Sequence, residues 1–168
     1  LTFQQDNPCN TTILADDGAV LYTVATSFAD VNKPVTYVHT PHGERVAEWE
    51  WRDVRADILT LGLRPRVSAS AWLKKSLIPY SGTVTFKDDL GVEYKWTNNL
   101  PGKSLNLYGP QSTSEPMARF VRAAKMQARP ATLLLDERAE GVRDMVVVSF
   151  LLLERRRRES EVDTGGRA

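Results

Sequence analysis

Residues 144–158 read DMVVVSFLLLERRRR. From 145 to 153 the only polar side chain is Ser149. A bilayer-spanning helix takes about 20 residues, so this run is too short to cross a membrane. An element apolar on every side has no face to offer water and must be buried all round. Three consecutive valines favour a strand. The length, the flanking charges and the lack of turn residues from 142 to 161 favour a helix. Arginines at its end suit the negative pole of a helix dipole. The reading is therefore a helix sunk into the protein's own core, followed by a disordered tail over residues 162–168.

Working back from that helix, the first 135 residues read as short strands cut by turn signals. Strands are expected at 1–5, 11–15, 19–26, 34–40, 45–52, 56–61, 82–87, 92–97, 105–108, 117–123 and 131–135. Asp16-Asp17-Gly18 and Asp88-Asp89-Leu90-Gly91 read as hairpin connections. In 45–52 the period of two places Ala47, Trp49 and Trp51 inward and Val46, Glu48, Glu50 and Arg52 outward. In 92–97, Val92, Tyr94 and Trp96 share one face. Residues 68–77 (SASAWLKKSL) read as the one early helix, capped by Ser68 or Ser70 and ended by Pro79.

The 168 residues suit one domain, expected over 1–161. A formal net charge of +1 gives no global field toward nucleic acid, so an electrostatic partner must be read by a local patch. Cys9 is the single cysteine, which excludes an intrachain disulfide and favours a reducing compartment. Asn10-Thr11-Thr12 is a glycosylation sequon, relevant only to a secreted chain, and no signal peptide is seen. The chain starts at Leu1 without a methionine, which leaves open what precedes it.

Several pieces together resemble a family of uncharacterised proteins of mushroom-forming fungi. They are Asp6-Asn7-Pro8 with Asn10-Thr11-Thr12 and Tyr22, the Trp49/Trp51 strand, and Phe86, Asp88, Gly91, Tyr94 and Trp96. Pro116, Ala118, Arg119 and Phe120 follow, then Pro130-Ala131-Thr132-Leu133 through to Arg158. That family looks like a branch of the tubby C-terminal-like superfamily, with phospholipid scramblases and LURP-one-related proteins. The resemblance implies a closed antiparallel β-barrel of about 12 strands around a central apolar C-terminal helix. A closed barrel removes sheet edges and hides an apolar helix, which agrees with the residue-level reading. Tubby itself binds phosphoinositides through a basic surface pocket, an analogy that names no residue here.

Two functions are carried forward. The first is a non-catalytic binding or scaffold module for phospholipid headgroups or a protein partner, cytoplasmic and peripheral at a membrane. Its candidate ligand residues are Arg119, Arg122, Lys125 and Arg129, a basic set suited to phosphate. Nucleic acid is disfavoured, and no cofactor or metal is expected. Arg155 to Arg158 reads as a solvated stop at a helix end, diluted by Glu154, Glu159 and Glu161. The alternative is a small enzyme of fungal secondary metabolism with an apolar pocket at a barrel end or on the barrel wall. Its weak catalytic candidates are His39, His42, Glu48 and Glu50. His39 and His42 lack a third metal ligand nearby. The aromatic residues read as core before they read as a pocket lining. A deep cavity with at least two titratable groups would favour the enzyme, and a shallow basic or apolar surface the module.

Overall fold

The computed structural model describes residues 1–110, 114–124 and 128–165, with side chains described through 162. Its strands are β1 (Thr2–Phe3), β2 (Thr11–Leu14), β3 (Val20–Ser27), β4 (Val35–His39), β5 (Arg45–Glu50), β6 (Ile58–Leu61) and β7 (Val67–Ser68). After helix α1 (Ala69–Trp72) come β8 (Lys74–Lys75), β9 (Val84–Lys87), β10 (Glu93–Thr97), β11 (Asn106–Tyr108), β12 (Ala118–Val121) and β13 (Thr132–Leu135). Helices α2 (Glu137–Glu140) and α3 (Arg143–Gly165) end the chain.

The expected closed barrel around a central helix does not form. The strands make one antiparallel sheet in the linear order β7-β6-β5-β4-β3-β2-β1-β13-β12-β11-β10-β9-β8. β7 pairs with β6 and β8 pairs with β9, and among the described residues neither has a second strand partner. Closure needs two edge strands long enough to share a ladder. Here both edges are two residues long, and one is a pair of lysines, a residue type that blunts sheet edges. α3 is therefore not the axis of a barrel. The expected helix at 68–77 also shrinks to the single turn of α1. Lys74 and Lys75 instead join the sheet, in register with Thr85 and Val84.

The chain divides into two compact units. The first takes in Leu1–Trp72 and Arg122–Thr132, and is a meander of β1 to β7 with Thr2 paired to Thr132. Alternation works as read: Ala47 and Trp49 on β5 are fully buried, while Glu48 and Glu50 lie outward. Trp51, expected inside with them, is half-buried. Its Nε1 donates to the buried Thr36 hydroxyl at 2.8 Å. Thr36 and Thr26 share a hydrogen bond at 2.8 Å, and Thr26 Oγ1 donates to the Cys9 carbonyl at 2.9 Å. This chain of partners lets a threonine sit in an apolar core without an unpaired hydroxyl.

The second unit takes in Leu73–Val121 and Leu133–Ala168. The β9–β10 hairpin pairs Phe86 with Tyr94, their rings stacked at 5.2 Å. Its turn is organised by Asp88, whose carboxylate accepts from the Leu90 and Val92 N–H groups at 2.9 Å and from the Tyr94 hydroxyl at 3.1 Å. Burial, and then the Asp88 bond, raise the Tyr94 pKa above 10.0. α2 is capped by Asp136, whose Oδ1 accepts from the Arg138 and Ala139 N–H groups.

α3 carries the reading of 144–158. Every residue from Val146 to Leu153 is buried, so all sides of the helix are covered. Its one polar residue is used: Trp96 Nε1 donates to Ser149 Oγ at 2.9 Å, and Ser149 Oγ donates to the Val146 carbonyl at 3.0 Å. Phe150 packs against Phe120 at 4.6 Å and Trp96 at 6.3 Å between ring centroids.

The four arginines are not a solvated stop. The helix runs on to Gly165, through part of the expected tail, of which 166–168 lie outside the described residues. The side chains of Arg157 and Glu154 are each 1% exposed and ion-paired to one another. Arg157 also donates to Glu161 at 3.2 Å and to the Lys103 carbonyl at 3.0 Å. Arg158 reaches the other Glu154 oxygen at 2.8 Å, and Arg155 pairs with Glu159 at 2.9 Å. Glutamate and arginine three and four residues apart lie on one helix face, so the run neutralises itself.

Candidate functional site

Two surfaces offer themselves, one in each unit. In the first, a hollow of about 760 Å³ opens to solvent, lined by Tyr37, His39, Glu44, Arg45, Gly62 and Leu63. β4 turns Tyr37 and His39 to the same outer face, and their rings stack at 6.0 Å. Across the ladder His39 faces Arg45, and Tyr37 faces Glu48. Of the proposed catalytic residues, only His39 lines this hollow. His42 sits in the exposed Pro41-His42-Gly43 turn. Glu48 accepts from Arg45 at 2.8 Å and from the Thr60 hydroxyl at 3.5 Å.

Glu50 accepts from Arg52 at 3.1 and 3.2 Å and from Arg66 at 3.0 Å. Its pKa lies below 4.5, chiefly through the Arg52 hydrogen bond. Burial opposes that shift, and Arg66 reinforces it. A carboxyl so held stays ionised, the opposite of what a general acid needs. The sign for stability follows from linkage: the folded form prefers the charged glutamate. The contribution is present above about pH 4.5 and is lost as pH falls through the lower, folded value. Glu50→Gln should lower the melting temperature at neutral pH, and the gap from wild type should close in acid. A pH series of thermal melts on both proteins checks this.

The basic set is shared between the two units. Arg119 projects outward on β12 between the buried Ala118 and Phe120, opposite Asn106, and belongs to the second unit. Arg122 and Arg129 belong to the first. Lys125 lies outside the described residues.

Sequence reasoning missed an exposed apolar segment. It is the loop from β8 to β9, where Leu77, Ile78 and Tyr80 face solvent directly after the exposed pair Lys74 and Lys75. The sequence reading placed Leu77 at the end of a helix stopped by Pro79, and nothing local marked it as outside. Among the described residues, Lys74, Lys75 and Arg119 make no ion pair, whereas Arg45, Arg52, Arg66, Arg138, Arg143, Arg155, Arg157 and Arg158 do. No three histidine, cysteine, aspartate or glutamate side chains among the described residues are grouped as a metal site would need. No helix among them is long and apolar enough to cross a membrane.

No curated protein and no solved structure matches the chain. One family does: its sequence profile covers residues 6–159, from the Asp6-Asn7-Pro8 turn to the arginine run of α3, and the chain therefore belongs to the family of unknown function DUF6593.

Proposed function

We propose that this chain is a non-catalytic binding module for an anionic partner, with phospholipid headgroups as the first ligand class. The observation that carries the reading is a group of exposed cations of the second unit without a described ion pair, Lys74, Lys75, Lys103 and Arg119, in a chain whose other arginines are largely tied to carboxylates. Arg122, Lys125 and Arg129 stay in the proposal as further headgroup contacts. The enzyme alternative finds less support, because Glu48 and Glu50 are engaged by arginines and the hollow beside His39 is open. Kinship with fungal proteins and with the tubby C-terminal-like superfamily is part of the same proposal and rests on the quoted residues. The closed barrel of that superfamily is not.

Each cation at an anionic membrane surface contributes about 1 kcal/mol. Reversing Arg119, Arg122 and Lys125 together should therefore weaken binding about a hundredfold or more. The test is flotation with phosphoinositide-containing vesicles against pure phosphatidylcholine vesicles. Binding to the anionic vesicles alone, falling as salt rises, is expected. Equal behaviour on both lipids at low salt would sink the reading.

A further inference from the structure

The loop between β8 and β9 holds its apolar side chains out. Leu77 is 99% exposed, Ile78 71% and Tyr80 93%, with Pro79 exposed between them. Single exposed apolar residues are ordinary on a soluble protein, but consecutive ones at a tip mark a binding surface. Exposure this complete means the side chains stand clear of the surrounding surface.

The loop is built to hold that posture. Ser76 N–H donates to the Thr83 carbonyl at 2.9 Å, and Ile78 N–H to Ser76 Oγ at 3.1 Å. Ser81 N–H donates to the Ile78 carbonyl and Thr83 N–H to Ser81 Oγ, both at 3.3 Å. Tyr80 takes φ 58°, a left-handed conformation that an aromatic residue adopts only under constraint. Gly82 at φ 59° lies against the next loop, where a Cβ would come within 2.8 Å of Leu100 Cγ and 3.2 Å of the Asn99 nitrogen. Only glycine fits there, and its carbonyl accepts from Asn99 N–H at 2.9 Å. That neighbouring loop carries the exposed Pro101 and Lys103.

We infer that this loop is a bilayer-inserting tip that seats the module on an anionic phospholipid membrane. The inference rests on the binding-module reading and names its partner. Leu77 and Ile78 enter the acyl boundary, and Tyr80 sits at headgroup level, where amphipathic aromatics partition. Lys74, Lys75 and Lys103 remain among the phosphates, their stems covering apolar surface. Ile78, at the centre of the tip, has both its N–H and its carbonyl bonded within the loop, the pairing that lipid favours because it offers no hydrogen bonds of its own. A protein partner would need none of this pairing and would not require cations around the tip.

The full chain carrying Ile78→Cys is labelled with an environment-sensitive dye; the one native thiol, Cys9, is buried. Phosphatidylserine-containing vesicles should shift the dye to the blue, and brominated acyl chains should quench it. Pure phosphatidylcholine should do neither. Leu77→Asp should weaken vesicle binding at least tenfold without lowering the melting temperature, because the side chain is fully exposed. If the protein binds anionic vesicles while the dye stays in water and Leu77→Asp binds normally, insertion is wrong and the headgroup reading survives. If nothing binds, both fail. A dimer in light scattering that Leu77→Asp dissociates would assign the tip to a second copy of the chain and overturn the proposal.

Discussion

Glu154→Ala is expected to destabilise the protein by about 3–5 kcal/mol, the cost of removing one partner of a buried ion pair. Glu154 is held between Arg157 and Arg158, and with Arg157 it is almost wholly inaccessible to water. Without it the Arg157 guanidinium keeps only Glu161 and the Lys103 carbonyl, too little for a charge removed from solvent. Typical domains are stable by about 5–15 kcal/mol, so a loss of this size is a large share. The reverse experiment separates pairing from packing. Replacing Glu154 and Arg157 together by methionine should recover most of the loss, since a well-packed apolar pair often matches a buried ionic one. Urea midpoints of the three proteins measure this. A Glu154→Ala variant as stable as wild type would show that the network contributes nothing.

Val147→Asp or Phe150→Asp should unfold the second unit. Both side chains are buried on α3. Each change forfeits about 1.5–3 kcal/mol of apolar burial. It also places a carboxyl, even if protonated, where partners are lacking, at about 2–7 kcal/mol. The sum rivals the whole stability of a domain. Two truncations make the same point. A chain ending at Gly141 loses α3 and should aggregate. A chain ending at Glu159 keeps the buried run and should still melt cooperatively. It should be slightly weaker, because Glu161 bonds both Arg157 and the Gly102 N–H. A soluble, cooperative product from the shorter chain would place α3 at the periphery.

The helix was legible because an apolar run of that length admits one environment. The strands were legible because Trp49, Tyr94 and Trp96 sit on strict alternations. Closure was not legible, since pairing of the two edges is non-local and turns on β7 and β8, each too short to leave a pattern. The same local logic misread 68–77: Leu77 fits a helical stripe with Trp72 and Leu73, yet it projects fully into water. The arginine run was misread from composition. The spacing of Glu154 with Arg157 and Arg158 already signalled self-neutralisation, although the Lys103 carbonyl could not be foreseen. Of the candidate site, the outward Arg119 followed from alternation. The strained, glycine-hinged tip at Tyr80 and Gly82 had no sequence signature beyond the helix-ending Pro79.

Hydrogen exchange, read peptide by peptide with and without anionic vesicles, locates the binding surface in the intact protein. Slowed exchange over residues 73–84 and 98–103 and around Arg119 and Arg122, absent with phosphatidylcholine, is the expected pattern. Protection over 37–45 and 62–63 instead, or no change with any vesicle, would contradict the proposal that this protein is a membrane-docking module.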